Sequence, residues 1–202
     1  MKRLLLCVML ISITLLATQC KKDKTLAPED ILRSKKITLT NAQWGNSITL
    51  HWFSTSQGAA VGHSSRYVDI TEAMITQEIM DNGLVQVYFT PYETKTPYSS
   101  LPYSRQNSQA TYNFNLDYTY EMGKIRLLFF LSAVYGAPAP PYVATWDIPS
   151  YTFKYVIIPG TAINTVANTQ EKQVQLKGVT YSEAEIKDMP YSQLSKLADI
   201  KE

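Results

Sequence analysis

Two histidines, His51 and His63, limit the acid–base chemistry open to this 202-residue chain. His63-Ser64-Ser65, with Asp69 nearby, supplies the residue types of a nucleophile–base–acid relay. Such a relay needs the histidine held in space between a nucleophile and an acid. Close neighbours on a glycine-containing loop seldom arrange themselves that way, so His63 reads as a solvated loop histidine. Two histidines without a nearby cluster of Asp, Glu or Cys also make a poor metal site. Glu72, Glu78 and Glu93 are scattered and read as surface charges, so no carboxylate pair suited to glycoside hydrolysis stands out. Gly160-Thr161 lacks the lysine and helix of a phosphate-binding loop. The sequence therefore assigns no catalytic residue, no metal ligand and no cofactor.

What remains is the chemistry of flat rings. Tyr98, Tyr103, Tyr142 and Trp146 fall in segments stiffened by proline. Rings on rigid loops can stack on sugar faces or anchor a protein partner, because little entropy is lost on binding. These four are the candidate ligand-binding residues. The competing reading has them closing the ends of a β-sandwich or packing on the C-terminal tail.

The elements that must position these rings are mostly strands. Ile37 to Thr40 alternates apolar and polar, the period of a half-buried strand. Ile48, Leu50 and Trp52 alternate with Thr49, His51 and Phe53, which predicts a strand burying the first set and turning His51 outward. Ser54 to Ser65 reads as a loop and Arg66 to Thr71 as a strand. Asn82-Gly83 between two apolar runs is a hairpin signal, so Ile75 to Met80 is read as a strand pairing with Leu84 to Phe89. Thr90 to Asn107 reads as a loop or irregular edge. Tyr112, Phe114, Leu116, Tyr118 and Tyr120 then line one face of a clear strand. Glu121-Met122-Gly123 turns the chain into a partner strand, with Ile125, Leu127, Phe129 and Leu131 inward. Tyr151 to Ile157 is a last strong strand, and Thr161 to Gln175 reads as irregular. Ser182-Glu183-Ala184-Glu185 forms a capping box, with Tyr181 and Ile186 as its staple. Pro190 opens a second short helix lined by Tyr191, Leu194 and Leu197. The expected fold is mainly β: an antiparallel immunoglobulin-like β-sandwich of about seven to nine strands with one or two short C-terminal helices.

The N-terminus has a different job. Lys2 and Arg3 precede an apolar run from Leu4 to Ala17, and Cys20 precedes the charged Lys21-Lys22-Asp23-Lys24. This describes an export signal, too short for a comfortable membrane span of about 20 apolar residues. With cysteine at the cut it resembles a bacterial lipoprotein signal, in which the Cys20 thiol is acylated. The alternative is a secreted chain cut near Ala17. Two or more acyl chains anchor stably where one does not. Lys21 to Pro28 reaches roughly 25 Å when extended at about 3.3 Å per residue, so the body would sit close to the bilayer. The expected organisation is a signal peptide over 1–19, an acylated cysteine and tether over 20–35, a sandwich over 36–160, and an irregular segment and helical tail over 161–202 packed on the same domain.

Lys2 and Arg3 leave with the signal, so 17 basic residues face 17 acidic ones. Neither nucleic acid nor an anionic membrane surface suits a neutral body. Cys7 also lies in the signal, which leaves no disulfide and places stability on a packed core.

Several segments resemble a group of uncharacterised Bacteroidota lipoproteins: Gly83-Leu84-Val85-Gln86-Val87-Tyr88, Leu101-Pro102-Tyr103, Tyr155-Val156-Ile157-Ile158-Pro159-Gly160 and the tail from Ile186 to Leu194. The resemblance implies a β-rich exported lipoprotein with a helical tail, and brings no activity with it. Together these readings lead to a lipid-anchored, non-enzymatic interaction protein of the bacterial cell envelope, at the outer membrane, on its surface or its periplasmic face. The membrane would be engaged through Cys20, and the partner would be an envelope protein or, alternatively, a glycan held by the loop aromatics. An envelope hydrolase ranks last.

Overall fold

The computed structural model describes residues 33–45, 47–53, 60–90, 98–160, 172–198 and 200, without the side chains of 50–53 and 60–62. The chain is mainly β, with antiparallel pairing throughout the described sheets. One sheet runs β1 (Arg33–Leu39), β9 (Tyr151–Ile158), β4 (Leu84–Thr90), β5 (Ser99–Ser100). The other runs β2 (Ser47–Phe53), β3 (Ala60–Thr71), β8 (Lys124–Ala133), β7 (Tyr112–Glu121), β6 (Tyr103–Gln106). A hairpin of β10 (Gln173–Leu176) and β11 (Val179–Ser182) stands apart from both.

Period-two alternation builds the core shared by the two sheets. Ile125, Leu127, Phe129 and Leu131 on β8 point inward, as the sequence predicts, and Leu116 on β7 joins them. Val85, Val87 and Phe89 on β4 meet them with Phe153, Tyr155 and Ile157 on β9. The expected turn at Glu121 to Gly123 is present, with Gly123 at φ 78°. Trp44 is buried edge-on to Phe129 and Phe153, at 6.2 and 6.3 Å between ring centres.

β4 and β9 carry a second core on their other face. Leu84, Tyr88, Val156 and Ile158 pack against the hairpin and two helices, α2 (Glu183–Asp188) and α3 (Tyr191–Leu197), through Val174, Leu176, Ile186 and Leu194. The Tyr88 hydroxyl donates to the Met189 carbonyl at 3.0 Å and so fixes the turn between those helices. Ser182 and Glu185 form the expected capping box, and Tyr181 packs with Ile186 in this cluster. The helical tail is therefore part of the fold, and the paired stretches Leu84 to Phe89 and Phe153 to Ile158 are buried at every residue.

Five expectations are corrected. Ile75 to Met80 is not a strand: Gln77–Asn82 form a helix, α1, capped by the Thr76 hydroxyl accepting from the Ile79 amide. The Asn82-Gly83 hairpin signal depends on positive φ, but Gly83 sits at φ −99°. It is glycine because a Cβ there would lie 2.6 Å from the Ile158 carbonyl. The loop expected up to Ser65 ends sooner, since β3 begins at Ala60. Buried Ser65 is accommodated there by donating to the Phe129 carbonyl at 3.1 Å. On β2, Ile48 pairs with Ser65 and lies on the face turned away from Arg66, Val68 and Ile70, so it is not a core residue. The segment read as irregular up to Gln175 contains β10, whose tight turn to β11 uses positive φ at Lys177 and Gly178. Finally, Arg33 to Lys35, expected in the tether, pair with Ile157 to Tyr155 on β9.

Gly160 packs on the end of α1, where an added Cβ would fall 1.3 Å from the Asn82 carbonyl oxygen. Gly160→Ala should cost about 3 kcal/mol, because α1 must move to make room. A urea titration reads this as a lower midpoint with an unchanged slope, and an unchanged midpoint would refute the contact.

Candidate functional site

The chain leaves the edge of one sheet at β5, turns through a cis Leu101-Pro102 bond, and enters the edge of the other at β6. A cleft of about 600 Å³ opens at this end of the molecule. Its floor is the core itself: Phe89, Leu116 and Phe129, all buried. Its walls are half-buried rings, Tyr103, Tyr112, Phe114, Trp146 and Tyr151. Arg105, Gln106, Ser108, Gln109 and Asp147 form an exposed polar rim.

The rings brace one another edge-to-face, the arrangement their quadrupoles favour. Phe89 meets Tyr103 at 4.8 Å and Tyr151 at 5.8 Å between ring centres. On the other wall Tyr112 meets Phe114 at 5.3 Å, and Trp146 lies 5.6 Å from Phe114 and 6.0 Å from Tyr112.

Two polar devices set the walls. Arg66, buried on β3, sends its guanidinium to five carbonyl or amide acceptors on two separate segments, the first being the Gly45 carbonyl, which accepts from Nε at 3.3 Å. Nη1 donates to the Trp146 carbonyl at 2.8 Å and to Asn41 Oδ1 at 2.7 Å, and Nη2 donates to the carbonyls of Trp44 at 2.7 Å and Asn41 at 3.0 Å. Asn41 Oδ1 also accepts the Ile148 amide at 3.1 Å, so the backbone on both sides of Asp147 is held. The opposite rim is fixed by Asn107. Its Oδ1 accepts the amides of Thr111 at 2.8 Å and Tyr112 at 3.2 Å, and its Nδ2 donates to the Thr111 hydroxyl at 2.9 Å. The loop so closed puts Ala110 at φ 55°, a left-handed conformation that costs a non-glycine residue roughly 1–2 kcal/mol.

The four aromatic candidates separate. Tyr103 and Trp146 both line the cleft, Tyr103 in the ring cluster around Phe89 and Trp146 in that of Tyr112 and Phe114. Tyr142 is 62% exposed and begins the one-turn 3-10 helix that leads to Trp146. Tyr98 belongs to neither place: it packs on the helical tail, 5.0 Å from the Tyr191 ring, with the Lys154 ammonium 4.5 Å from its own ring centre. Cys20 and Glu93, and the side chain of His51, lie outside the described residues.

His63 sits on a strand rather than a loop, its ring 5.8 Å from that of Phe130. Asp69 is six residues along the same strand, roughly 20 Å away at about 3.3 Å per residue, and is tied to Arg126 by a pair of hydrogen bonds of 2.6 and 2.7 Å. Ser65 spends its hydroxyl on backbone carbonyls. His63, Ser65 and Asp69 therefore form no relay.

Elsewhere, Glu72 accepts a short hydrogen bond from the Tyr155 hydroxyl and pairs with Lys35 at 3.7 Å. Burial pushes the Glu72 carboxyl up, but the Tyr155 hydroxyl, the Met74 amide and Lys35 outweigh it and hold it below its ordinary value. Neither Glu72 nor Tyr155 lines the cleft.

Sequence reasoning missed Tyr112, Phe114 and Tyr151 as site residues because their alternation marks them as core. All three are half-buried and line the cleft. It also missed Arg66, whose phase with Val68 and Ile70 was a usable signal: it places a cation on the core side of β3. The assembled site offers flat apolar surfaces in a preformed hollow and planar hydrogen-bonding groups around the mouth. That is the equipment of a binding pocket.

Arg66→Lys keeps the charge and loses the fork, so several carbonyls lose their donor. It should cost about 2–4 kcal/mol and red-shift the tryptophan emission as Trp44 and Trp146 loosen. Wild-type stability with unchanged emission would show that the walls do not depend on Arg66. Ala110→Gly should raise stability by up to about 1 kcal/mol by removing the left-handed penalty. A fall in the unfolding midpoint would contradict that assignment.

No protein-family model, characterised protein or solved structure matches this chain.

Proposed function

We propose that this chain is a lipid-anchored, non-catalytic binding protein of the bacterial cell envelope, and that the aromatic cleft holds its ligand. The observation that carries the reading is the cleft: about 600 Å³, walled by mutually braced rings and held from behind by Arg66 and Asn107. A site fixed before the ligand arrives loses little entropy on binding. In this reading the two facing sheets are an immunoglobulin-like sandwich in size and layering, with a strand order of its own.

Several features support binding over turnover and over docking of a flat protein face. Among the described residues, the charged side chains of the cleft are Arg105 and Asp147, both exposed on its rim. No group of three His, Cys, Asp or Glu is gathered for a metal among those residues. Among the described residues, the large exposed apolar side chains, Met122, Tyr135, Tyr142 and Val179, come from three separate parts of the chain. The envelope location follows from the signal ending at Cys20, and the outer membrane from the lipoprotein resemblance.

Two measurements test this reading. Cys20→Ser should abolish fatty-acid labelling and move the protein from the membrane to the soluble fraction, and labelling that persists would remove the anchor. Cross-linking in intact cells, followed by recovery of the acylated protein, should retain a ligand with the wild type and lose it with Trp146→Ala. Substrate turnover that one polar substitution abolishes would overturn the non-catalytic reading.

A further inference from the structure

The ligand class can be argued from how the cleft ends. The strap between β8 and Trp146 leaves the chain beside Tyr112 and returns to the same wall at Trp146, whose rings lie 6.0 Å apart. At its start the Val134 amide donates to the Thr111 carbonyl at 3.2 Å, next to Tyr112 on the wall. At its end the Tyr142 carbonyl accepts the Thr145 amide and hydroxyl, at 3.3 and 3.1 Å, immediately before Trp146. Between them lie Pro138, Pro140 and Pro141, and the strap carries two of the most exposed rings of the described residues, Tyr135 at 105% and Tyr142 at 62%. One exposed aromatic needs no explanation. Two on one proline-stiffened strap that ends at the cleft wall put further aromatic surface in solvent, and Tyr142 lies only four residues before Trp146. At about 2 Å of rise per residue, the 3-10 turn puts Tyr142 roughly 8 Å from Trp146 along the chain path.

The polar groups narrow the chemistry. The charges at the rim, Arg105 and Asp147, cancel, which gives a strongly charged ligand no field to enter. Among the described residues, the side chains of Gln106, Ser108, Gln109 and Asp147 make no hydrogen bond or ion pair. Amides, a hydroxyl and a carboxylate of this kind both donate and accept, which matches hydroxyl groups. A ligand that offers apolar C–H faces to rings, hydroxyls to planar side chains, no net charge and a repeating length is a sugar chain.

Resting on the reading of the cleft as a ligand site, we propose that it binds a neutral oligosaccharide, with one part seated between Tyr103 and Trp146 and the chain continuing over Tyr142. The cleft supplies the anchoring subsite and the strap supplies an outer one. A longer chain therefore gains a contact that a short one cannot reach.

The test uses the acylated full chain in detergent, titrated with neutral cello-, xylo-, malto- and manno-oligosaccharides of two to six units and with the neutral dye Nile red. In the wild type, one sugar series should bind, with affinity rising about tenfold from the shortest to the longest member, the worth of one further ring contact. Tyr142→Ala should remove that rise and leave the shortest member unaffected. Trp146→Ala should lose binding at every length, and Trp146→Phe, which keeps a ring beside Phe114, should restore part of it. Equal affinity at all lengths, or a Tyr142→Ala protein that keeps the rise, overturns the outer subsite. If no sugar binds but Nile red binds the wild type and not Trp146→Ala, the sugar proposal fails while the cleft reading stands. If neither binds, both fail. Binding of oligogalacturonate as strong as that of the neutral chains would overturn the assignment of a neutral ligand.

Discussion

Arg66 is a cation buried at the inward face of β3, and among the described residues it has no carboxylate beside it. Burying an unpaired charge costs several kcal/mol unless hydrogen bonds replace its water. Here five hydrogen bonds do so: from Nε to Gly45, from Nη1 to Trp146 and Asn41, and from Nη2 to Asn41 and Trp44. The consequence is geometric. All five acceptors must converge on one planar fork, so the Asn41–Gly45 segment and the Trp146 segment are fixed relative to β3 and to each other. A lysine could supply the charge but not that convergence. Trp44 then goes into the core against Phe129 and Phe153, and Trp146 is left on the surface as a wall.

A second constraint acts from the far side. β4 and β9 lie between two apolar clusters, so they cannot slide without disturbing both. Their register, Phe89 opposite Phe153 and Val87 opposite Tyr155, places Phe89 at the cleft floor and Tyr151 at its wall. The tail fixes this register without touching the ligand site. Lys154 sits between the rings of Tyr98 and Tyr191, with its ammonium 4.5 and 4.4 Å from their centres, and Tyr88 is bonded to Met189. Tyr98, an exposed-loop candidate on sequence grounds, is thus part of the clamp on the tail. Its stiffness serves the fold rather than a ligand.

The strands legible in the sequence were those whose two faces differ in polarity. β7 and β8 alternate cleanly, and Ile125 through Leu131 fall where the pattern puts them. Legibility failed where a local signal had two physical meanings. Asn82-Gly83 looks like a hairpin because glycine tolerates positive φ, but Gly83 is needed for its missing Cβ beside Ile158. Lys177-Gly178 is the tight turn, in a stretch whose polarity hid Val174 and Leu176. Trp146 and Tyr103 were recognised from proline-stiffened context. Tyr112, Phe114 and Tyr151 were not, because a ring on the core face of a strand looks the same whether or not the opposing sheet reaches far enough to cover it. The reach of each sheet depends on its short edge strand, β5 with two residues or β6 with four. No single-residue pattern encodes it.

The short β6 also explains why the hollow persists. Extending the core to fill it would require more apolar residues on the β6–β7 connection, but Asn107 to Ala110 is polar and tightly turned. The turn keeps Ala110 in a left-handed conformation that glycine would adopt at no steric cost. A chain shaped for stability alone would gain by closing the hollow with apolar side chains, since exposed ring surface forfeits about 25 cal/mol for each Å² left in water. Here the rings are half-buried, braced and backed by a buried arginine, while the groups around them are polar and solvated. Rigid apolar surface maintained at such a cost is what the proposed ligand would cover, and its burial on binding would recover the free energy that the open hollow forgoes.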